Sequence, residues 1–191
     1  MPAAVATKLY GAADLIAVNG LEGTKIDDIA KASGVPKATL YYYFSGKEEI
    51  LSFLLRDSLA ALAGEVARAA DAPGSARDRL AAVIHVHIEH TMQRPGFSRA
   101  LVGDLGRAIR LPELATAVQQ AFYDPITRVL RDGAADGSLR RLADPAGDAI
   151  SIFGAVMMTA MLHNVVRSDR TEGDVAAGVV DLVMSGLHPS P

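Results

Sequence analysis

The chain has 191 residues, of which half are hydrophobic, and its 19 basic and 22 acidic residues give a net charge of -3. This length suffices for one large domain or two small modules, and the slight negative charge disfavours a general polyanion binder. No cysteine is present, which excludes a disulfide framework and a thiolate metal site.

The most apolar segment, residues 149–166, predicts a buried helix rather than a membrane span. A span needs about 20 apolar residues, whereas this segment is shorter and contains serine, threonine, histidine and asparagine. The N-terminus also lacks a basic region followed by a long apolar run, which is the pattern of a secretory signal. We therefore predict a soluble, cytoplasmic protein.

Apolar residues recur at helical spacing from end to end, and the sequence predicts an all-α fold of about nine helices. The first helix carries an apolar stripe formed by Val5, Leu9, Ala12 and Ile16. Asn19-Gly20 is a typical left-handed helix end. Thr24 and Asp27 form a capping pattern, which predicts that a second helix begins there.

The second helix is predicted to end near Ser33, because Gly34 supplies a backbone conformation that other residues resist. Pro36 suits the first position of a third helix, since its missing N–H would be unpaired there in any case. This helix is brief and ends at about Tyr43. A long fourth helix begins at Lys47.

Residues 34–44, GVPKATLYYYF, place four aromatic side chains in a row in a chain that has ten in all. Two short helices joined by a tight glycine turn are typical of a helix-turn-helix. If Leu40 faces the core, the neighbouring side chains cannot all be buried. The aromatic residues are then divided between an outward surface and an anchor, which is formed by Phe44 and partly by Tyr43.

The outward surface suits DNA, because a tyrosine ring packs on sugar or a thymine methyl group while its hydroxyl reaches a phosphate. Lys37 is predicted to recognise guanine through O6 and N7, and Lys47 to share a phosphate with the start of its helix. The complete set of predicted DNA contacts is Lys25, Pro36, Lys37, Ala38, Thr39, Tyr41, Tyr42 and Lys47.

The segment TKIDDIAKASGVPKATLYYYFSGKEEIL, residues 24–51, resembles the signature of the TetR (tetracycline repressor) family of transcriptional regulators. The resemblance extends from about Val5 to Leu55. It implies a palindromic DNA operator, a small-molecule effector and a homodimer built through a four-helix bundle. The domains it implies are a helix-turn-helix domain (1–46), a connecting helix (47–70) and a ligand-binding and dimerisation domain (71–191).

Three residues depart from the pattern of that family. Pro36 stands where the family commonly has serine, Ala38 where it has glycine, and Lys25 where a second threonine or serine often follows the first. Each departure lies near the predicted DNA surface, so the operator sequence cannot be inherited from relatives.

The second half of the chain contains clear helix boundaries. Ser75 with Asp78 and Thr171 with Asp174 form capping pairs, and Pro125 predicts a kink or break within a longer helix. The remaining predicted elements are a helix at about Phe97–Arg107, a turn at Gly133–Gly137, and final helices at about Pro145–Val166 and Thr171–Leu187.

The last two helices carry dense apolar faces, and such patches are rare on monomers. We therefore predict a homodimer interface, and expect Val179→Asp to disrupt it. The predicted interface residues are Ile150, Phe153, Met157, Val175, Val179, Leu182 and Val183.

Many apolar and few polar side chains in the C-terminal half predict a mainly apolar small-molecule ligand that releases DNA. The candidate pocket residues are His87, Phe97, Leu101, Phe122, Tyr123, Met157 and Met161. His87 has two interpretations: a hydrogen-bonded core histidine, or a polar group of the pocket. His85, His87 and His90 lack a convincing further ligand, so the sequence predicts neither a metal nor a cofactor.

The sequence contains no nucleophile elbow, phosphate-binding glycine loop or paired catalytic carboxylates. We therefore predict that the protein is not an enzyme. The predicted function is a sequence-specific transcriptional regulator, most consistent with a ligand-released repressor. Two alternatives stay open: a helical interaction module that has lost DNA binding, and a DNA-binding protein without an inducer.

Overall fold

The computed structural model describes residues 1–94, 101, 112–166 and 169–188. All regular secondary structure in these residues is helical, as predicted. The elements are α1 (Ala3–Leu9), a 3-10 turn (Tyr10–Ala12), α2 (Ala13–Gly23), α3 (Ile26–Ser33), α4 (Lys37–Tyr43), α5 (Lys47–Ala70), α6 (Ala76–Gln93), α7 (Pro112–Val118), a π-helical segment (Gln119–Tyr123), α8 (Asp124–Asp136), α9 (Pro145–Val166) and α10 (Glu172–Gly186).

The chain forms two compact units, and the division between them falls inside α5. Residues 1–58 group with residues 96–116, and residues 59–95 group with residues 117–191. The predicted connecting helix at 47–70 therefore exists as one continuous helix but contributes to both units. The division of the chain into the domains 1–46, 47–70 and 71–191 remains a prediction.

The core of the N-terminal unit is small and forms from the apolar stripe of its first helices. Leu9, Ala12 and Ile16 are buried as their spacing predicts, whereas Val5 is half-buried. The predicted left-handed position is also present, because Gly20 has φ 69°. The helix resumes after this break and ends at Gly23, three residues later than the predicted stop.

The start of α3 lies one residue later than the predicted Thr24–Asp27 cap. Thr24 is fully buried and its hydroxyl donates to the Gly20 carbonyl at 2.7 Å, so it belongs to the end of α2. Lys25 is the N-cap residue, and its N–H donates to the Asp28 carboxylate at 3.1 Å. The negative charge of Asp28 at the start of α3 also interacts favourably with the helix dipole.

The turn between α3 and α4 has the predicted geometry. Gly34 is left-handed with φ 65°, and the Ser33 hydroxyl bridges the turn by donating to the Ile29 carbonyl and accepting from the Val35 N–H. Pro36 has an extended ψ of 139°, so it is the N-cap residue of α4 and not its first helical residue as predicted. The two short helices and this turn form a helix-turn-helix.

In the second unit, α6 packs against α8, α9 and α10. The two predicted capping pairs are confirmed: Ser75 and Thr171 each accept from the N–H of an aspartate three residues later, Asp78 and Asp174. The glycine turn predicted at 133–137 is wrong in part, because α8 continues to Asp136.

The break predicted at Pro125 is a π-helical segment immediately before it, Gln119–Tyr123. Proline has no N–H to donate to Ala121, four residues earlier, and a wider turn is one way a helix accommodates this loss. The helical segment therefore continues from α7 through the π-helical residues into α8, with a local distortion.

One helix among the described residues is long and apolar enough to cross a membrane by composition alone, over Pro145–His163 of α9. Its mean hydropathy is 1.4, and 33% of that window is buried within the chain. A single helix of this kind is also typical of the core of a soluble protein.

Candidate nucleic-acid interface and effector site

The outer side of α4 presents the predicted DNA-contacting residues. Leu40 is buried, with 1% of its surface exposed, and orients the helix on α3. Tyr41 and Tyr42 are consequently 54% and 80% exposed. Lys37 and Ala38 are exposed one turn earlier, on the N-terminal part of the helix.

The remaining two aromatic residues of the GVPKATLYYYF segment turn inward, as predicted. Phe44 is buried and its ring packs at 5.8 Å from that of Phe53 on α5. Tyr43 is half-buried and meets the Tyr42 ring edge-on at 4.9 Å. The inner aromatic residues therefore hold the end of α4, while the outer two remain available to a partner.

The flanking predicted contacts divide by exposure. Lys25 and Pro36 are exposed beside the start of α3 and α4, whereas Thr39 is half-buried. The contact of each with DNA remains a prediction.

Lys37 has an ion-pair partner on the preceding helix. Its ammonium nitrogen lies 2.8 Å from Oδ1 of Asp27, and both side chains are largely exposed. The hydrogen bond to Asp27 raises the pKa of Lys37 above its ordinary value, with the partner's charge and that of Tyr41 adding to it. The lysine is therefore positively charged at the start of α4.

Lys47 has a different environment from the predicted phosphate site. Its ammonium donates to the carbonyls of Leu21 at 2.8 Å, and of Glu22 and Thr24 at 3.4 Å. These carbonyls belong to the end of α2, where four acceptors lack helical partners. In the free protein the lysine therefore joins the start of α5 to the end of α2, and a phosphate contact would compete with these bonds.

Lys47→Ala is expected to lower the free energy of unfolding by about 1–3 kcal/mol, because partly buried carbonyls lose a charged donor. Urea denaturation of the dimer at fixed protein concentration measures the change. Lys25→Ala is the matched control, since it removes an exposed lysine from the same region and should change stability by less than about 0.5 kcal/mol. Equal stability of the two variants would contradict the anchoring role.

The second unit contains an aromatic cluster that includes several predicted pocket residues. His87 is buried and its ring stacks on Phe122 at 4.8 Å. The ring centroid of Phe153 lies 4.6 Å from that of Phe122 and 5.2 Å from that of Tyr123. We call these four residues, His87, Phe122, Tyr123 and Phe153, the aromatic cluster.

The hydrogen bond of His87 supports its interpretation as a satisfied core histidine. Its Nε2 lies 3.1 Å from the Ala121 carbonyl oxygen, the acceptor that Pro125 cannot serve. The carbonyl can only accept, so Nε2 carries the proton. Burial lowers the pKa of His87 to about 4, and the ring is therefore neutral at physiological pH.

The other predicted pocket residues are only partly brought together. Met157 is buried and its sulfur accepts from the Thr91 hydroxyl at 3.9 Å, while Met161 on the same helix is half-buried. Leu101 is buried but groups with the N-terminal unit. Phe97 lies outside the described residues.

Sequence reasoning missed that Phe153 belongs to the aromatic cluster. Its apolar neighbours placed it equally well on a dimer surface, and the sequence contains no signal that distinguishes the two. The link between His87 and Ala121 was also missed. Pro125 could have indicated it, because a proline within a helix leaves a carbonyl that needs another donor.

The predicted dimer interface requires correction, because most of its residues are buried within the single chain. Phe153, Met157, Val175 and Val179 are each at most 8% exposed. They face the chain's own core, where α6 packs against both helices. Val179→Asp would therefore damage the fold itself.

Other side chains of the same two helices face outward. Ile150 and Leu182 of the predicted set are 55% and 69% exposed, and Val183 is half-buried. Met158 and Leu162 are also exposed. We call the surface formed by Ile150, Met158, Leu162 and Leu182 the α9–α10 face.

Residues 9–52 match the family described as "Bacterial regulatory proteins, tetR family". This range contains the whole helix-turn-helix and the start of α5. This N-terminal region is therefore similar to the DNA-binding domain of the tetR family. The protein is a DNA-binding transcriptional regulator, as the sequence predicted.

Curated proteins similar to this chain match most of its length. The "Fatty acid metabolism regulator protein" of Bacillus subtilis (strain 168) is 24% identical over 182 residues, which cover 93% of this chain and 92% of that protein. The "HTH-type transcriptional repressor KstR2" of Mycolicibacterium smegmatis is 28% identical over 134 residues, covering 68% of this chain and 64% of that protein.

A solved structure confirms the fold of the chain. The regulator FadR from Bacillus subtilis, solved in complex with stearoyl-CoA, superposes with a TM-score of 0.77 at 21% identity. The match covers 96% of this chain and 100% of that one. The similarity therefore includes the C-terminal helices as well as the helix-turn-helix.

Proposed function

We propose that the protein is a cytoplasmic repressor whose homodimer binds a palindromic operator and is released by an acyl thioester with a long apolar chain. The observation that carries the DNA-binding part is the outer side of α4, where a charged lysine and two exposed tyrosines lie above a buried leucine. We propose no catalytic activity for the protein.

The second copy is expected to cover the α9–α10 face. Four large apolar side chains are exposed on two helices that contact each other, and isolated chains rarely expose large apolar patches. A dimer carries two copies of α4, one for each half-site of a palindromic operator. Helix-turn-helix dimers contact half-sites about 34–36 Å apart, or a multiple of this, so the operator is expected to be palindromic.

The acyl class of the effector follows from the names of the relatives and from the chemistry of the aromatic cluster. The curated relative from Bacillus subtilis is a fatty acid metabolism regulator, and the structure of FadR from Bacillus subtilis was solved with stearoyl-CoA. The cluster is neutral and apolar, since His87 is uncharged and its ring nitrogen is bound to a backbone carbonyl. Such surroundings suit an alkyl chain, whereas a charged head group would have to remain near solvent.

The protein has one conformation that fits DNA and another that does not. For the ligand to release DNA, it must bind the second conformation more tightly than the first. To test this, the protein first selects its operator from random-sequence duplexes, and binding is then measured by fluorescence anisotropy. Stearoyl-CoA and free coenzyme A are added as probe and control. Selection of a palindrome and release by stearoyl-CoA alone are expected.

Each contrary outcome removes a separate part of the proposal. Failure to select any sequence would favour a helical interaction module without DNA binding. Selection of a palindrome that neither stearoyl-CoA nor a shorter acyl-CoA releases would favour a DNA-binding protein with no acyl inducer.

A further inference from the structure

The ion pair between Asp27 and Lys37 lies where the first and second helices of the helix-turn-helix meet. Asp27 is in the first turn of α3, and Lys37 is the first residue of α4. Their charged atoms are 2.8 Å apart, with 67% of the Asp27 side chain and 48% of the Lys37 side chain exposed. In this type of domain, the N-terminal part of the second helix contacts base edges. A carboxylate therefore accompanies the lysine that is expected to contact bases.

An acidic group at a DNA surface needs an explanation, because the phosphates repel it. An exposed ion pair contributes little to stability, so support of the fold is a weak reason for it. The ammonium has three N–H donors, of which Asp27 occupies one. Two donors remain, and the carboxylate retains lone pairs that can accept. The pair thus presents two donors beside an acceptor.

This arrangement is complementary to one base pair in one orientation. In the major groove, a G·C pair presents the acceptors N7 and O6 of guanine, followed by the N4 amino donor of cytosine. We infer that Asp27 and Lys37 together recognise one G·C pair in each half-site, with the ammonium on guanine and the carboxylate accepting from cytosine N4. This inference rests on the proposed DNA-binding function.

The same pair disfavours the other base pairs. With an A·T pair, the adenine N6 amino donor would face the ammonium donors of Lys37, and the thymine O4 acceptor would face the carboxylate of Asp27. The reversed C·G pair would bring the amino donor to the ammonium. Unpaired or like-facing polar groups in a desolvated contact are costly, and such mismatches contribute to specificity as much as favourable bonds do. Asp27 is therefore a specificity-determining residue.

The test begins with the operator that the wild-type protein selects. Each position is replaced by the three other base pairs in both half-sites, and binding is measured for the wild type, Asp27→Ala, Asp27→Asn and Lys37→Ala. In the wild type, one G·C position is expected to lose roughly 5- to 150-fold per half-site on replacement. Asp27→Ala should reduce this discrimination at that position and leave the others unchanged.

The double variant separates joint recognition from two independent contacts. If the residues act as a pair, the double variant, Asp27→Ala with Lys37→Ala, should lose as much affinity on replacement of the G·C pair as Lys37→Ala alone does, within about twofold. Asp27→Asn keeps the size of the side chain and one acceptor, so it should retain part of the preference. It also guards against loss of folding in the alanine variant.

Asp14→Ala is the matched control, because it removes the same charge from an exposed position on α2. Both aspartate variants should bind nonspecific DNA somewhat more tightly, since each removes an acid, but only Asp27→Ala should lose base preference. Unchanged preference at every position in Asp27→Ala, or an A·T pair at the position that Lys37 controls, would overturn the inference. Failure of the wild type to select any sequence would instead overturn the proposed function.

Discussion

Leu182→Asp is expected to yield a folded monomer with little affinity for the operator, whereas Val179→Asp is expected to unfold. The two residues are three positions apart on α10, but Leu182 is 69% exposed and Val179 only 5%. An aspartate at 182 remains hydrated in the monomer and becomes buried only when a second chain covers the α9–α10 face. An aspartate at 179 lies in the core of the single chain, where an unpaired charge costs about 3–5 kcal/mol.

Analytical ultracentrifugation measures the oligomeric state of each variant, and circular dichroism with urea denaturation measures its folding. Loss of the dimer should weaken operator binding strongly, because each monomer then contributes one half-site alone. Val18→Asp is the matched control, since it places the same charge at a 70% exposed apolar residue of α2 and should leave the dimer intact. A dimeric Leu182→Asp protein would show that the interface lies elsewhere.

His87→Ala is expected to lower the free energy of unfolding by about 2–5 kcal/mol. The substitution removes a buried ring stacked on Phe122 and leaves a cavity. It also removes the donor to the Ala121 carbonyl, and an orphaned buried acceptor costs about 1–3 kcal/mol of that total. Urea denaturation at pH 8 measures the loss.

His87→Gln separates the two contributions, because its amide can donate to the same carbonyl but has no aromatic ring. It should recover part of the stability that His87→Ala loses. His85→Ala is the control, since His85 is exposed on the same helix and should change stability by less than about 0.5 kcal/mol. An equal loss for His87→Gln and His87→Ala would show that the hydrogen bond contributes nothing.

The pH dependence of stability provides a second measurement of the same residue. The folded-state pKa of His87 is lowered to about 4 by burial, whereas the unfolded value is about 6.5. The folded state therefore resists protonation, and its stability is complete above about pH 6.5 and falls as the pH decreases toward 4. The contribution of His87 over this window is about 3 kcal/mol. His90, whose pKa burial also lowers to about 4, acts in the same direction.

The His87→Gln variant should show a smaller loss of stability between pH 6.5 and 4 than the wild type, because glutamine does not titrate. His90 remains in both proteins, so their difference isolates His87. Identical slopes for the two proteins would contradict the assignment of His87 as a buried neutral histidine.

The sequence by itself determined the helix-turn-helix, because local chemistry dictates it. The tight turn needs a left-handed residue, which Gly34 supplies without steric cost. Leu40 is the residue that α4 buries. Once Leu40 is buried, the outward direction of Tyr41 and Tyr42 follows from the helical period alone. The capping pairs at Ser75 and Thr171 were predictable for the same reason, since each involves residues three positions apart.

Only the tertiary structure decided which side of the last two helices faces the core. The segment around Ile150 and Phe153 is apolar on nearly every side, so its hydropathy cannot distinguish a surface for α6 from a surface for another chain. Lys47 and His87 were undetermined for a related reason. Their partners are backbone carbonyls more than twenty residues away, and every residue has a carbonyl, so no side-chain pattern marks which one will accept.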